Sequence, residues 1–340
     1  MLAKNDIKVG LDIGSSQIHV IVSERDDDYN LHLIGAGTGP SAGLRRGVIV
    51  DMDSAAAAIS DAVAHAEETS GCAAVSVLAS ASGAHISSLG SRGVVAIGRS
   101  DREITQEDVD RVLEAARVVA IPPDREVVHV LPREFVIDGC TGIRKPVGMT
   151  GIRLDVDANI ITGSATAIQN IHRSARRIGL EVEQIILQPI AAAEAVLTSY
   201  EKEQGSLVID MGGATTDIAV CIEGSVHHVA SIPVGGSHVT NDIALVMRLP
   251  VGYSERLKLN YGSALPDAVG DDESCGTDTD ISRKKLCQII EARIHETMEL
   301  VKEEVDRAGY SGQLPAGVVV TGGASVMQGV VSVAEEVLGL

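Results

Sequence analysis

Aromatic side chains are nearly absent from this chain: they make up 2% of its 340 residues, with no Trp and one Phe. The core must therefore be built from Val, Ile, Leu and Ala, and little is left for the stacking platforms that hold single-stranded nucleic acid. Basic residues are scarce as well. The 28 Lys and Arg stand against 47 Asp and Glu, a net charge of −19. Contact with a phosphate backbone needs a basic surface, so nucleic acid is not an expected partner. The five cysteines, Cys72, Cys140, Cys221, Cys275 and Cys287, are dispersed singly; none has zinc-site or redox-motif spacing, and the set fits reduced thiols. No run approaches the ~20 apolar residues of a membrane span, and the opening MLAKNDIKVGLDIG has no apolar core for a signal peptide. These absences point to a soluble, cytoplasmic chain long enough for about two domains.

Two standard phosphate signatures are missing too. There is no G-x-x-x-x-G-K-[ST], and GAGTGP (35–40) fails the spacing of a dinucleotide fingerprint. What is present reads as α/β grammar with an interruption. Residues 7–22 suggest two strands about a turn at Gly14-Ser15-Ser16, and a strand near 31–36 leads into a glycine-rich stretch. Asp53 or Ser54 is placed to cap a helix, and AAVSVLAS reads as the next strand. Over 83–163 the character changes. A helix over 106–119 starts at a capping-box-like Thr105 with Asp108 and stops before Pro122-Pro123, and two strand-like segments follow about Asp138-Gly139. The α/β pattern then resumes: helix, strand, a helix starting at Pro189, the hairpin SLVIDMGGATTDIAVCI, further helices including a long one over 283–308, the strand AGVVVTGGAS and a helix from about 326. The acidic PDAVGDDESCGTDTD reads as an exposed loop.

The hairpin occurs twice. Val9-Gly10-Leu11-Asp12-Ile13-Gly14-Ser15-Ser16 and Val208-Ile209-Asp210-Met211-Gly212-Gly213-Ala214-Thr215-Thr216 are both a buried strand ending in Asp, a glycine turn with hydroxyls, and a second strand. Glycines let backbone N–H groups approach phosphate oxygens, and Ser and Thr add neutral donors. A carboxylate at the strand end would repel a bare phosphate, so its sensible work is to face a hydrated Mg²⁺. One copy alone would be no more than a tight hairpin. Two copies, with a third glycine pair at Gly322-Gly323 between a strand and a helix, suggest two related lobes sharing a nucleotide cleft.

These three elements, in this order, resemble the two phosphate motifs and the adenosine motif of the actin-like ATPases. The stretches GCAAVSVLASASGAHISS, TQEDVDRVLEAARVVAIPPDREVVHVLPREFVIDG, KPVGMTGIRLDVDANIITG and IPVGGSHVTNDIA further resemble the bacterial cell-division FtsA family, from about residue 7 to the last residue. The resemblance implies an α/β, two-lobed actin- and heat-shock-chaperone-like (ribonuclease H-like) fold with an inserted α+β subdomain of the SHS2 type. It divides the chain into a first lobe (1–82 plus 164–190, incomplete at its carboxy-terminal end), the insert (83–163), a second lobe (191–226 plus 302–340, its end returning towards the first) and a small subdomain (227–301).

Residue by residue, the resemblance implies that Asp12 and Asp210 face Mg²⁺ through water. It sets Gly14, Ser15, Ser16 and Gln17 on one side of the ATP phosphates and Gly212, Gly213, Ala214, Thr215 and Thr216 on the other. Gly235 and Gly236 would lie under phosphates and ribose, and Gly322, Gly323 and Ala324 beside the adenosine. Glu255 and Lys258 match a family Glu-x-x-Lys that flanks adenine and ribose, although an exposed i,i+3 ion pair reads equally well. Gln188 stands where actin has a Gln that positions the attacking water; it could equally be a strand-end residue. Asp155 and Asp157, the spare acids a kinase base would need, alternate in a strand and read as surface positions. Ala214 and Ala324 replace glycines common in the family and Gln17 replaces a frequent Lys, so at most weak ATPase activity is expected. The implied role is an ATP-binding adapter that self-associates into filaments, binds the carboxy-terminal tail of FtsZ through 227–301, meets other division proteins, and helps build the Z ring at the cytoplasmic face of the membrane. In the family, membrane contact is made by a carboxy-terminal amphipathic helix beyond the segment matched here. The chain ends at VLGL and would lack that affinity alone. A PilM-like type IV pilus assembly protein and a small-molecule kinase of the same fold are the alternatives.

Overall fold

The computed structural model describes residues 6–276 and 281–340. Alternation decides the first strands: Val9, Leu11 and Ile13 of β1 (Asp6–Ile13) and Ile18, Val20 and Val22 of β2 (Gln17–Arg25) are buried, with more exposed residues between them. β3 (Leu31–Pro40) does not stop at the glycines; it runs through them. The short hairpin of β4 (Leu44–Arg45) and β5 (Val48–Ile49) follows, and then helix α1 (Met52–Ser70) packs on β3 so closely that side chains there would collide with its backbone. A Cβ on Gly37 would lie 2.1 Å from the Ala62 carbonyl oxygen, and one on Gly35 2.5 Å from Ser70 Cβ. The glycines of this stretch serve helix–strand contact. The cap of α1 is Asp51, whose extended backbone lets its carboxylate accept from the amides of Asp53 and Ser54; those two residues, expected as caps, are already helical.

β6 (Ser76–Ala81) ends the opening segment. β7 (Ser87–Ala96), α2 (Gln106–Arg117), β8 (Arg125–Ile137), β9 (Cys140–Ile143) and β10 (Arg153–Ser164) form a separate α+β unit. Asp108 returns its carboxylate to the Thr105 amide at 3.0 Å, closing the expected start of α2, which ends at Arg117, ahead of the prolines. Leu154, Val156, Ala158 and Ile160 of β10 pack with Val109, Val112 and Ala116 of α2. On the other parity Asp155 is buried, 3% exposed, and not a surface acid: the Arg92 and Arg153 guanidiniums reach it at 2.7 and 2.6 Å. Asp157 is only partly exposed.

α3 (Ala165–Arg177), β11 (Glu181–Leu187), α4 (Gln188–Val196) and α5 (Ser199–Gln204) lead into the second hairpin, β12 (Ser206–Met211) and β13 (Thr216–Ile222), and into β14 (Ser225–Ile232). Helices α6 (Gly236–Met247), α7 (Val251–Tyr261) and α8 (Arg283–Arg307), strand β15 (Val318–Thr321) and helix α9 (Val330–Leu338) complete the chain. α9 begins four residues later than expected, after Gly329 in the left-handed region. In the acidic loop Asp271, Asp272 and Glu273 are exposed, while 277–280 lie outside the described residues.

Three sheets of four or five strands result, ordered β11-β6-β1-β2-β3, β7-β10-β8-β9 and β14-β13-β12-β15. β12 is apolar on both faces, as a strand covered on both sides must be. Leu207, Ile209 and Met211 join the core under α6–α9, whereas Val208, with Ala219, Cys221 and Val229, joins the core of the first sheet. The two halves are thereby fused through β12, β13 and β14. Among the described residues no helix is long and apolar enough to cross a membrane.

Gly37→Ala is expected to destabilise the chain by about 3 kcal/mol, since the clash is with backbone that cannot rotate away. Gly98, whose added Cβ would meet nothing within 4 Å, is the control: Gly98→Ala should shift the urea midpoint little.

Candidate functional site

The repeated hairpins meet. β1 pairs with β2 so that the chain turns at Gly14, where a Cβ would lie 2.6 Å from the Gln17 carbonyl oxygen. β12 pairs with β13 with Asp210 opposite Asp217, and the Gly212 amide donates to the Thr215 carbonyl at 2.9 Å to close the turn. The two turns then touch: a Cβ on Gly213 would stand 2.8 Å from Ser16 Cβ. The amino-terminal turn of α6 is tied beneath the second hairpin, with the Gly236 amide on the Gly212 carbonyl (2.9 Å) and the Ser237 amide on the Gly213 carbonyl (2.7 Å). The Ala324 amide donates to the Met211 carbonyl at 2.9 Å, bringing the third glycine pair to the same place. Gly322 has φ +91°, and a Cβ there would meet Asp210 Oδ1 at 2.3 Å, so both its backbone and its surroundings require glycine. Gly14 to Ser16, Gly212 to Thr215, Gly235, Gly236 and Gly322 are thus brought together at one place, whereas Thr216 is fully buried and its hydroxyl donates to the Val234 carbonyl at 2.8 Å. Gln17 is exposed at the start of β2, and Gly323 has open space around it.

The acids occupy the floor. Asp12 Oδ1 accepts from Ser80 Oγ at 2.6 Å and from the Gln188 side-chain amide. Gln188 is thus committed to Asp12. Asp210 is mostly buried, and burial, with the charges of Asp217 and Asp12 behind it, pushes its carboxyl up to about 7. Asp217 is 2% exposed, and burial raises it as well, against hydrogen bonds from Ser82 Oγ (2.6 Å) and Thr215 Oγ1 (3.1 Å). Among the described residues none of the three carboxylates has an ion-pair partner, and no three His, Cys, Asp or Glu side chains could cage a metal ion unaided. Paired acids beside glycine turns fit Mg²⁺, which keeps its waters and takes its remaining ligands from phosphates.

Lys258 is not an exposed partner of Glu255. It is 9% exposed, and its ammonium donates to Gly236 O (3.1 Å), Thr240 Oγ1 (2.9 Å) and Glu255 Oε2 (2.8 Å), which uses all three protons and braces the first turn of α6. Ser80, Ser82, Asp217 and Thr240 went unassigned in the sequence. For Ser80 and Ser82 the missed signal was position: hydroxyls at and just beyond the carboxyl end of a strand parallel to β1 lie where α/β sheets gather ligands.

The middle unit is similar to the SHS2 domain inserted in FTSA over residues 83–162, and residues 207–340 match the cell division protein FtsA family. The FtsA protein of Pseudomonas aeruginosa is 44% identical over 97% of this chain and 80% of its own length, and that of Bacillus subtilis is 40% identical over 98% and 77%. The chain belongs to the FtsA family. That membership puts it among the cell-division proteins. Solved structures agree on the fold. A PilM–PilN type IV pilus biogenesis complex superposes with a TM-score of 0.69 at 15% identity, covering 98% of this chain and 86% of that one. MreB5 of Spiroplasma citri bound to ADP superposes with a TM-score of 0.58 at 16% identity, covering 98% and 90%. The two-lobed actin-like α/β architecture with an SHS2 insert is therefore the fold of this chain, and its neighbours include nucleotide-bound proteins.

Between about pH 4 and pH 7 the folded chain holds more proton on Asp210 than the unfolded chain does, because the folded value lies above the ordinary 3.8. Stability of the nucleotide-free chain should fall as pH rises through that window, by up to about 4 kcal/mol. Asp210→Asn should flatten the slope in pH-dependent urea melts.

Proposed function

We propose that the cleft binds Mg-ATP and that the chain works as the FtsA-type adapter of cell division. The observation that carries this reading is the meeting of two Asp-glycine hairpins over unpaired carboxylates, in a fold shared with the ADP-bound MreB5. Asp12 and Asp210 would face the hydrated Mg²⁺. Gly14 to Gln17 and Gly212 to Thr215 would take the phosphates, Gly235 and Gly236 would underlie the ribose, and Gly322 to Ala324 would lie beside the adenosine. Glu255, whose carboxylate is partly exposed, would meet the ribose, while Lys258 holds α6 in place. With Gln188 drawn onto Asp12 and alanines at two glycine positions, turnover is weak and binding is the purpose.

In this reading the chain is divided into a first lobe (1–82 plus 164–190), the insert (83–163), a second lobe (191–226 plus 302–340) and a small subdomain (227–301). It self-associates, engages FtsZ and works at the cytoplasmic face of the membrane. The small subdomain supports the FtsZ assignment by its surface: Leu245 and Leu259 of α6 and α7 are 78% and 71% exposed, with Val246 and Val251 half exposed. Apolar side chains left in water on one helix pair suit the apolar face of a short partner segment. The pilus-type alternative has fold likeness alone behind it.

A labelled FtsZ carboxy-terminal peptide should bind saturably in Mg-ATP by fluorescence anisotropy. Leu245→Asp with Leu259→Asp should weaken it by about tenfold or more without lowering the melting temperature. A flat titration from folded, nucleotide-loaded chain would overturn the adapter reading.

A further inference from the structure

Beside the cleft stands the short β4–β5 hairpin, to which the nucleotide reading gives no task. Leu44 pairs with Ile49 and Arg45 with Val48, so Arg46 and Gly47 alone make the turn. Both have positive φ, 51° and 78°, as a two-residue turn that follows the twist of its strands requires. Asn or Gly suits the first of these positions, and an arginine is held there against its preference. Such a residue persists where its surroundings fix it.

The surroundings are the first phosphate turn and the carboxyl edge of the first sheet. The Gly47 amide donates to Ser15 Oγ at 3.0 Å, and the Ser41 amide to the Ser16 carbonyl at 3.0 Å. On its other side the hairpin packs on the segment past β6. A Cβ on Gly47 would lie 2.8 Å from the Ser82 carbonyl oxygen, and one on Gly83 would lie 3.1 Å from the Arg46 carbonyl oxygen. Ser82 is the residue whose hydroxyl reaches Asp217 at 2.6 Å. Arg46 is thus rooted between two residues of the cleft. The bond to Ser15 also has a chemical consequence: the serine oxygen accepts, so its own proton stays free to donate.

Positive charge is what the site lacks. Of the residues gathered for phosphates, ribose and adenosine only Lys258 is basic, and its three protons go to Gly236, Thr240 and Glu255. A triphosphate carries more negative charge than one Mg²⁺ cancels, and the floor adds carboxylates. Arg45 and Arg46 are exposed, and among the described residues neither makes an ion pair or a side-chain hydrogen bond. A guanidinium fork matches phosphate oxygens.

We infer that Arg46 is a further phosphate-binding residue, carried to the cleft by the β4–β5 hairpin, and that it selects a nucleoside triphosphate over a diphosphate. The adenosine and ribose contacts all come from the second half, from Glu255, α6 and the β15–α9 turn. The hairpin is rooted on the first half at Ser15, and so meets the end of the phosphate chain far from the base. There Ser15 donates its free proton and Arg46 balances the charge, with Arg45 adding to the local positive field. The inference rests on the nucleotide reading above.

The test titrates Mg-ATP and Mg-ADP calorimetrically into the whole chain and into Arg46→Asn and Arg46→Lys. Asparagine suits the turn better than arginine, so Arg46→Asn keeps the hairpin and removes only the cation, and the melting temperature of the nucleotide-free chain should not fall. Its Kd for Mg-ATP should rise about tenfold, and its Kd for Mg-ADP by less than about twofold. Arg46→Lys, which keeps the charge without the fork, should raise the Mg-ATP Kd only about threefold. If Arg46→Asn misfolds, Arg46→Gly, the other residue this turn favours, carries the same expectation. Unchanged Mg-ATP affinity in the variant, or equal losses for ATP and ADP, overturns the inference while the nucleotide reading stands. A folded parent that binds neither nucleotide overturns that reading, and the inference with it.

Discussion

Three carboxylates, Asp12, Asp210 and Asp217, share the floor of one cleft with no side-chain cation beside them among the described residues. Buried like charges are held together only at a cost, which a proton, a cation or hydrogen bonds must offset. Much of the local structure meets that demand. Ser80 and Gln188 donate to Asp12, and Ser82 and Thr215 to Asp217. Asp210 has no such help and retains its proton to about pH 7. In the proposed reading a divalent ion would stabilise this floor and link the acids to phosphates held by the glycine turns.

The glycines follow from the same constraint. To bring two hairpins, the start of α6 and the β15–α9 turn around the acids, backbone has to approach backbone, and Cβ atoms at Gly213, Gly235 and Gly322 would stand within 3 Å of other atoms. β12 carries the arrangement: its apolar residues enter two cores at once, so the second hairpin cannot shift without disturbing both. The halves are fused by packing through the second sheet.

The paired hairpins were legible in the sequence because short-range chemistry writes them: an apolar strand, an acid, glycines and hydroxyls. The insert was legible too, from the change of pattern between residues 83 and 163 and the capping residues of α2. Three things were not. The glycines of β3 look like a loop unless one knows that α1 lies over them, and that is tertiary information. Asp155 looks like a surface acid because Arg92, which pairs with it, is distant in sequence and reaches it only across the sheet. Lys258 and Glu255 sit at ordinary helical spacing, and nothing local tells that the lysine turns inward to brace Gly236.

The most direct test of the account is calorimetric titration of ATP into the chain, once with Mg²⁺ and once with EDTA, repeated on Gly213→Val. The account predicts one saturable site with Mg²⁺, weakened about tenfold or more by EDTA and by the substitution, because metal, acids and glycine turns act as one unit. Binding indifferent to both Mg²⁺ and Gly213, or no binding by a folded chain, would contradict it.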